Sequence, residues 1–472
     1  MTAQTILPAN SVTDTGYEIT NSCRFNPGDS PKMVKASASS GNGYKGTFSL
    51  WVKRSNLGAQ QMIGQQDTGH ARVFFNGANQ LRCYGNSAGE DNAFDLASTA
   101  LFRDVGAWYH IVFAWDNTQG TAANRNKVYV NGVQLTDFAT ETYNPQNTQI
   151  GGGFFVDSLN LTISEGDDDD FNGYMTEIVG IENTTYGPTD FGEFDDSGIW
   201  KPIDGLEDLT FGPNGFYLDF EDSANLGNDV NGGTDFTESN LAAIDQSTDT
   251  PTNNFATLNS LDNFFAGSTF AEGNCKLTYL AGTGKYSYNT GTIALTSGKW
   301  YHEVKIAQSV GSNYNMFGIE EDVCQSTGHE FLSSSTGYVL NGNNGKIIVT
   351  GTDTTYGDAT AVNDIIGVYV DLDNNKIYFA ENGTVMNSGT GQTIAAVSAT
   401  KYGYYFVIGG DYSSGTVGIH EFNFGGSPAF TISSGNTDDN GYGNFEYSPN
   451  ITGDSVAKKF YAICTKNLAE YG

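Results

Sequence analysis

Positive charge is scarce in this sequence. Its 472 residues include 22 Lys and Arg against 54 Asp and Glu, which gives a formal net charge of −32 at pH 7. Nucleic-acid binding proteins neutralise phosphates with clustered Lys and Arg, and adsorption to anionic membranes requires the same residues. We therefore expect neither a nucleic-acid partner nor attachment to an anionic membrane surface.

Long apolar runs and closely spaced cysteines are missing as well. No stretch reaches the ~18 consecutive apolar residues of a membrane-spanning helix, and residues 1–11 lack the basic and apolar regions of a secretory signal. We therefore expect no membrane insertion and no secretory signal. The cysteines are far apart and form no CxxC pair, which favours free buried thiols over a disulfide framework or a zinc site. They are Cys23, Cys83, Cys275, Cys324 and Cys464.

What the sequence does contain is glycine and aromatic residues. There are 59 Gly, and aromatic residues make up 13% of the chain. Helical periodicity is nearly absent, whereas short segments rich in β-branched and aromatic residues recur between clusters of Gly, Asn and Asp. This is the pattern of β-strands joined by turns, so the sequence predicts an all-β protein.

Strand patterns in the first half indicate an antiparallel sandwich. The dipeptide Asn131-Gly132 lies between the apolar runs Lys127–Val130 and Val133–Leu135, which is the strongest short-range signal for a β-hairpin. Predicted strands with aromatic and β-branched residues are Thr47–Val52, Arg72–Phe75 and Trp108–Trp115.

The second half repeats this pattern. The segment Lys299–Ile306 is similar to the strand that begins at Trp108, and Ile365–Asp371 is followed by a second Asn-Gly hairpin at Asn382-Gly383. The separation between Trp and Asn-Gly is 23 residues in the first half and 82 in the second. Because tandem repeats keep a fixed period, we predict two related sandwiches rather than a duplication.

We divide the chain into five predicted regions. Polar composition suggests that the stretch between the sandwiches is a connector. The regions are an N-terminal segment 1–25, a first sandwich 26–220, a connector 221–262, a second sandwich 263–430 and a C-terminal tail 431–472.

Motifs in each half resemble known families. The segments GTFSLWVKR (Gly46–Arg54), WYHIVFAWD (Trp108–Asp116), KVYVNG (Lys127–Gly132) and FNGYMTEI (Phe171–Ile178) resemble a LamG-type, concanavalin A-like jelly roll. The segments WYHEVKI (Trp300–Ile306), YNMFGIEE (Tyr314–Glu321), GYVLNGNNGKI (Gly337–Ile347) and IIGVYVDLDNNKIYFAENG (Ile365–Gly383) resemble a SPRY domain. Both resemblances imply concanavalin A-like jelly-roll sandwiches, LamG-like and then SPRY-like.

The joined order resembles virion proteins of marine tailed phages, of the tail-fibre or appendage type. The similar segments outside the two sandwich motifs are Ile6–Asn26, Gly198–Ile203, Thr250–Phe264 and Phe422–Phe430. This resemblance implies a non-enzymatic virion structural protein at the surface of the phage particle, in contact with other virion proteins. It also implies a homo-oligomer, a trimer by analogy with phage fibres, and binding to a host-surface glycan or protein. The alternatives are a capsid decoration or head-fibre protein and a glycan-cleaving depolymerase.

Catalytic residues are not evident. A retaining glycosidase needs two carboxyl groups about 5–5.5 Å apart, which in laminarinase-type strands takes the form Glu-x-Asp-x-x-Glu. The closest segment, Glu193–Gly198, has no second Glu and consists of turn residues. His110 and His302 each follow Trp-Tyr in a predicted strand, and we interpret both as structural. We therefore expect no enzyme activity.

Calcium is the cofactor that the sequence leaves open. LamG domains often hold Ca²⁺ at the rim of the sandwich, and Ca²⁺ prefers oxygen ligands. Candidate ligands are Asp116 and Asn117 after the central strand, and the run Asp167, Asp168, Asp169 and Asp170. The alternative is that these carboxylates are solvated and screened by salt.

Ligand binding is expected to use exposed tyrosines. Sugars stack on aromatic rings beside hydrogen-bonding side chains, and Tyr356, Tyr412 and Tyr442 lie in stretches rich in Gly, Asp, Ser and Thr. The resemblance to SPRY domains implies binding through loops at one rim, which adds Tyr314 and Asn315 to the candidates.

Overall fold

The structure is a computed structural model. The chain folds into two compact units. The first unit is Asp14–Thr252, and the second contains Asn253–Gly472. The structure describes residues 16–36, 43–65, 71–87, 90–148, 154–155, 159–165, 169–263, 267–279, 286–309, 314–323, 336–412, 417–452 and 457–472. Within these ranges no helix is long and apolar enough to cross a membrane.

The first unit is a sandwich of two antiparallel sheets. Its strands are β1 Ser22–Phe25, β2 Lys32–Ala36, β3 Lys45–Arg54, β4 Gln60–Gln65, β5 Ala71–Phe75, β6 Gln80–Ser87, β7 Glu90–Leu101, β8 Trp108–Asp116, β9 Asn126–Val130, β10 Val133–Gln134, β11 Phe138–Thr142, β12 Asn160–Ile163, β13 Gly173–Glu182, β14 Gly192–Phe194, β15 Trp200–Pro202, β16 Phe216–Leu218, β17 Thr237–Ser239 and β18 Gln246–Ser247. One sheet has the order β10-β9-β8-β3-β13-β1-β18, with β16 also paired to β13. The other sheet has the order β11-β7-β6-β5-β4-β12-β2-β17, and β14 and β15 form a hairpin. Short 3₁₀ turns occupy Pro27–Asp29, Ala122–Asn124, Pro188–Asp190, Leu206–Asp208 and Ala243–Asp245.

Alternation along the strands builds the core of the first unit. Phe48 and Leu50 of β3 pack with Val73 of β5 and Phe113 of β8 between the two sheets, because successive side chains of a strand point to opposite faces. The predicted strands are confirmed in β3, β5 and β8. The Asn131-Gly132 hairpin is confirmed as well, and its residues have φ angles of 47° and 78°, the left-handed values that a tight hairpin turn requires.

The predicted connector is corrected by the structure. Its residues up to Thr252 belong to the first unit, where β17 pairs with β2 and β18 pairs with β1. Asp229 forms a buried ion pair with Lys35, with Oδ2 2.6 Å from Nζ. Many residues of the stretch are exposed, but two of its carboxylates, Asp229 and Asp249, bind the buried lysines Lys35 and Lys53. Residues after Thr252 belong to the second unit, where Leu258 lies in the core.

The second unit is also a two-sheet sandwich. Its strands are β19 Thr269–Ala271, β20 Lys276–Thr278, β21 Tyr286–Leu295, β22 Lys299–Gln308, β23 Met316–Glu320, β24 Tyr338–Asn341, β25 Lys346–Val349, β26 Thr352–Thr355, β27 Ile365–Asp371, β28 Lys376–Glu381, β29 Thr384–Val385, β30 Gln392–Thr393, β31 Tyr405–Tyr412, β32 Ile419–Asn423 and β33 Tyr461–Ala462. One sheet has the order β19-β20-β32-β22-β27-β28-β29, with β30 paired to β28 and β33 to β22. The other sheet has the order β21-β31-β23-β24-β25-β26. The helix α1 spans Thr465–Tyr471, and 3₁₀ turns lie at Asn387–Gly389 and Val397–Ala399.

The C-terminal residues that were predicted as a tail pack on the second sandwich. Phe445 and Phe460 are fully buried against Tyr301 and Tyr369, on the face of the sheet that points away from the sandwich core. Strand β33 adds to β22 in parallel. Residues 431–472 therefore cover one outer face of the second unit, because the tyrosine rings that β22 and β27 direct away from the core need an apolar cover.

The two sandwiches share an order of strands. The series β10-β9-β8-β3-β13-β1 in the first unit corresponds to β29-β28-β27-β22-β32-β20 in the second. By this order the strand of Trp300 (β22) takes the position of β3, and not that of the Trp108 strand as the sequence similarity suggested. Asn382 and Gly383 have φ angles of 47° and 78°, the same as those of the first hairpin.

Four of the five cysteines lie in the described residues, and all four are buried free thiols, as predicted. They are Cys23, Cys83, Cys275 and Cys464, whereas Cys324 lies outside the described residues.

Candidate functional site

Two tyrosines meet at one rim of the second unit. Tyr314 lies just before β23, and Tyr412 is the last residue of the neighbouring strand β31. Their rings pack edge to face with centroids 5.2 Å apart, and both side chains are half-buried. The structure thus brings together two of the predicted ligand-binding residues, which are almost 100 residues apart in sequence.

The buried carboxylate of Asp411 holds the backbone next to this pair of tyrosines. Oδ1 of Asp411 accepts a hydrogen bond of 2.9 Å from the backbone N–H of Tyr314, and Asp411 is 1% exposed. Burial raises the pKa of Asp411 to about 6, although backbone N–H donors act to lower it. Because the backbone of Tyr314 is held by the residue that precedes Tyr412, the two rings are fixed relative to each other.

Asn315 fixes the rim and is not itself exposed. It is 2% exposed and has a left-handed φ of 43°, a conformation that Asn tolerates. Its Oδ1 lies 3.0 Å from Nε2 of His420, and its Nδ2 donates to Oγ of Ser309 at 2.9 Å. Burial lowers the pKa of His420 to about 3, so the imidazole is neutral and links Asn315 to the Tyr279 hydroxyl, 3.0 Å from Nδ1. Asn315 therefore supports the tyrosines instead of contacting a ligand.

The loop between β24 and β25 completes the rim. Its backbone N–H groups at Gly342 and Asn343 donate to the carbonyls of Asn315 and Tyr314 at 3.0 and 3.3 Å, while the side chains of Asn343 and Asn344 are exposed. Two half-exposed aromatic rings beside two exposed residues with amide side chains form a surface on which a sugar ring can stack and hydrogen-bond. We call Tyr314, Asn315, Asn343, Asp411 and Tyr412 the tyrosine rim.

Tyr356 and Tyr442 do not belong to the tyrosine rim. Tyr356 is 4% exposed, and its ring packs edge to face on that of Phe379 with centroids 5.8 Å apart. The prediction that Tyr356 is exposed was therefore wrong, because a sequence segment rich in Gly, Asp and Thr can still direct an aromatic ring into the core. Tyr442 is half-buried on the C-terminal residues, where its backbone N–H donates to Asp438 and Lys466 lies 5.5 Å from its ring centroid.

The candidate calcium ligands Asp116 and Asn117 already have protein partners. The carboxylate of Asp116 accepts hydrogen bonds from Thr118 and Gln119, and its Oδ2 lies 3.1 Å from Nζ of Lys45. Burial acts to raise the pKa of Asp116, but these partners outweigh it and lower the pKa to about 2. Asn117 is fully buried, and its Oδ1 accepts a hydrogen bond from Asn144 at 2.6 Å. These two residues therefore cap the turn after β8.

The acidic run lies elsewhere in the first unit. Asp169 lies 4.0 Å from Arg72, and its carbonyl accepts a hydrogen bond from the backbone of Gln61, while Asp170 forms an isolated bridge with Gln61. Asp167 and Asp168 lie outside the described residues. In the part of the chain that the structure describes, no group of three or more His, Cys, Asp or Glu could hold a metal ion.

The segment nearest to a catalytic carboxylate motif forms a hairpin. Glu193 on β14 pairs with Lys201 on β15 at 3.3 Å, and Oδ1 of Asp195 accepts from the backbone of Ser197 and Ile199 in the turn. These carboxylates therefore stabilise a surface hairpin.

His110 and His302 differ in a way that their similar sequences did not suggest. His110 accepts a hydrogen bond from Trp200 Nε1 at 2.9 Å and has Ser49 Oγ 2.8 Å from its other nitrogen. His302 is fully buried among the described residues with no hydrogen bond to either nitrogen, and its ring stacks on Phe424.

Sequence reasoning missed Asp411 and His420, the residues that hold the rim. Asp411 interrupts an otherwise apolar strand, YFVIGGDY (Tyr405–Tyr412), directly before a candidate tyrosine. A charged residue within a buried strand is a signal for a hydrogen-bonded role, and it was available in the sequence.

These observations define a chain of two concanavalin A-like sandwiches, a fold associated with binding modules. Residues 26–179 match the family model Laminin_G_3, described as the concanavalin A-like lectin/glucanases superfamily, and residues 299–411 match the SPRY domain. The LamG-like and SPRY-like domains, and their order, are thereby confirmed.

Three solved structures are similar to parts of the chain. The SPRY domain of human HERC1 is 15% identical, covers 31% of this chain and 86% of its own, and has a TM-score of 0.26. A heptameric SAP-like pentraxin from Limulus polyphemus is 14% identical, with coverages of 34% and 76% and a TM-score of 0.25. A candidate carbohydrate-binding protein from Bacteroides ovatus is 16% identical, with coverages of 47% and 59% and a TM-score of 0.32. No curated protein matches this sequence significantly.

Proposed function

We propose that this chain is a non-enzymatic structural protein at the surface of a phage particle, a tail fibre or appendage, which uses the tyrosine rim to bind a host-surface glycan or protein. The observation that carries the binding role is the edge-to-face pair of Tyr314 and Tyr412, 5.2 Å apart and held by Asp411. The resemblance of nearly the whole chain to phage virion proteins supports the location.

The rim suits binding because its aromatic groups are held in place before a ligand arrives. Asp411 and the pair Asn315–His420 are buried and hydrogen-bonded beneath the tyrosines. A surface ordered in advance loses little conformational entropy on binding, which leaves more of the contact energy as affinity.

We favour a binding role over glycan cleavage because the candidate carboxylates have structural roles. Glu193 pairs with Lys201, and Asp116 caps a turn. Buried Asp411 accepts a hydrogen bond from the backbone N–H of Tyr314 and so serves to hold the rim.

Binding to host cells tests the rim directly. Fluorescently labelled full-length protein should bind host cells, and Tyr412→Ala should weaken that binding about 30-fold, as expected for a central aromatic contact of ~2 kcal/mol. Tyr402→Ala is the matched control, because Tyr402 is 44% exposed in the same unit but contacts Lys401 and Tyr404 instead of the rim. Equal binding by Tyr412→Ala and the wild type would argue against the rim.

Location and chemistry need separate tests. Antibody labelling of particles should place the protein on the tail or an appendage, whereas capsid labelling would favour a decoration or head-fibre protein. Purified protein incubated with laminarin or host polysaccharide should release no reducing ends. Their release would replace the binding proposal with a depolymerase.

A further inference from the structure

A second binding surface is suggested by one outer sheet face of the first unit. Arginines and aromatic residues alternate there on adjacent strands, and we call the group the arginine–aromatic face. Its members are Arg72 and Phe74 on β5, Arg82 and Tyr84 on β6, and Asp95 on β7.

Strand alternation and register place these side chains together. Val73, Cys83 and Leu96 point into the core, so the residues on either side of them point to the opposite face. Arg72 lies directly opposite Tyr84, which lies opposite Asp95, and Phe74 lies opposite Arg82 in the next row. Each arginine therefore has one aromatic neighbour on the adjacent strand and another two positions away on its own strand.

Both guanidinium groups stack on the rings. The guanidinium carbon of Arg72 lies 4.7 Å from the centroid of Phe74 and 6.0 Å from that of Tyr84. The guanidinium carbon of Arg82 lies 5.8 and 5.2 Å from the same two centroids. Cation–π contacts of this kind hold the planar groups in a fixed orientation.

The two arginines differ in their hydrogen bonds. Arg82 makes two hydrogen bonds to the carboxylate of Asp95, at 2.7 and 2.6 Å. Arg72 has no such partner in the described residues: its nearest carboxylate oxygen, on Asp169, is 4.0 Å away, and its buried Nε has no hydrogen bond. Arg72 is thus held by stacking and by its long ion pair with Asp169; 26% of its side chain is exposed, and within the described residues its guanidinium makes no hydrogen bond.

We propose that the arginine–aromatic face binds an acidic saccharide, whose carboxylate or sulfate accepts hydrogen bonds from Arg72 while the sugar ring packs beside Tyr84. A planar guanidinium donates two parallel hydrogen bonds to such a group, and a half-buried aromatic ring beside it offers a surface for the sugar. The net charge of −32 repels anions in general, so binding of an acidic sugar requires a local site of this kind. The proposal concerns the first unit and does not depend on the tyrosine rim.

Calorimetry with three trisaccharides tests the proposal. Full-length protein is titrated with trigalacturonate, with a sulfated galactotriose and with neutral galactotriose at about 0.15 M NaCl, where screening acts beyond ~8 Å. We expect an acidic trisaccharide to bind, and Arg72→Gln to weaken its binding about tenfold or more, as for loss of a charge-assisted hydrogen-bonded pair. A preference for trigalacturonate assigns a carboxylate, and a preference for the sulfated sugar assigns a sulfate.

Two further variants make the result specific. Arg103→Gln removes the same charge from an exposed arginine outside the face and should leave binding within about twofold. Arg72→Lys keeps the charge but not the planar pair of donors, and should bind nearly as weakly as Arg72→Gln. Circular dichroism confirms that each variant is folded, and Tyr84→Leu replaces Arg72→Gln if that variant unfolds. Equal binding of neutral galactotriose, or no binding of either acidic trisaccharide, would overturn the proposal.

Discussion

Lys53 and Asp249 form an ion pair in which Nζ and Oδ2 are 2.6 Å apart and each side chain is only 1% exposed. Asp249 also accepts a hydrogen bond from Trp108 Nε1 at 3.1 Å. The pair joins β3 to a residue 196 positions later, within the stretch that its polar composition suggested was a connector. A buried pair with these bonds makes that stretch a structural part of the first sandwich.

Removing one partner of this pair should destabilise the first unit strongly. Asp249→Ala leaves the Lys53 ammonium buried without its carboxylate, and we expect a loss of ~3–5 kcal/mol in the free energy of unfolding. Urea unfolding followed by tryptophan fluorescence suits the measurement, because Trp51, Trp108, Trp115 and Trp200 lie in the first unit and Trp300 alone in the second.

The control for Asp249→Ala is Glu193→Ala in the same unit. The side chain of Glu193 is 57% exposed in its pair with Lys201, so its loss should cost ~0–1 kcal/mol. Similar costs for the two variants would show that the Lys53–Asp249 pair contributes no more than a surface ion pair.

The two strand histidines should lose different amounts of stability on the same substitution. His302→Leu removes a buried ring that makes no hydrogen bond in the described residues, and we expect the free energy of unfolding to change by less than about 1 kcal/mol or to rise. His110→Leu leaves Trp200 Nε1 and Ser49 Oγ without their partner and should cost ~1–3 kcal/mol. Urea unfolding of both variants decides between this result and equal losses, which would contradict it.

Glu303 should make the second unit less stable as pH rises. It is buried on β22, where it accepts hydrogen bonds from the backbone of Glu446 and Tyr447, and from Tyr301 and Asn423. Burial raises its pKa from 4.5 to about 7, although these donors act to lower it. The folded state therefore holds a proton that the unfolded state has released between pH 4.5 and 7.

The sign of this effect follows from the raised pKa. The contribution of Glu303 to stability is fully present below pH ~4.5 and is lost as pH rises through ~7, a change on the order of 3 kcal/mol. Urea unfolding at pH 5 and pH 7.5 should show a smaller fall for Glu303→Gln than for the wild type. An identical fall in both proteins would mean that Glu303 does not titrate in this range.

Calcium should leave the protein's thermal stability unchanged. The carboxylate of Asp116 is occupied by Thr118, Gln119 and Lys45, so we expect no change in the unfolding midpoint between excess Ca²⁺ and EDTA. A calcium site filled at about 100 times its Kd would add about 2.7 kcal/mol, which is several degrees in Tm. An increase of that size that Asp116→Asn abolished would identify Asp116 as a ligand.

The sequence predicted the fold more completely than it predicted the ligand-binding residues. The aromatic and β-branched residues of Thr47–Val52 and the dipeptides Asn131-Gly132 and Asn382-Gly383 predicted strands and hairpins that the structure confirms. Among the candidate ligand residues, Tyr314 and Tyr412 meet, but Tyr356 is buried in the core. Loop composition cannot distinguish an exposed ring from a buried one, because burial depends on what packs against it.

The amino-acid sequence by itself determined that the protein is all-β, with two related sandwiches, because strand alternation and left-handed turn residues act over a few neighbouring positions. Only the tertiary structure decided which face each side chain occupies and which distant residues become partners. The contacts between Tyr314 and Asp411 and between Lys53 and Asp249 join residues 97 and 196 positions apart. Such pairs arise from the pairing of whole strands across the sheets, and no local pattern encodes them.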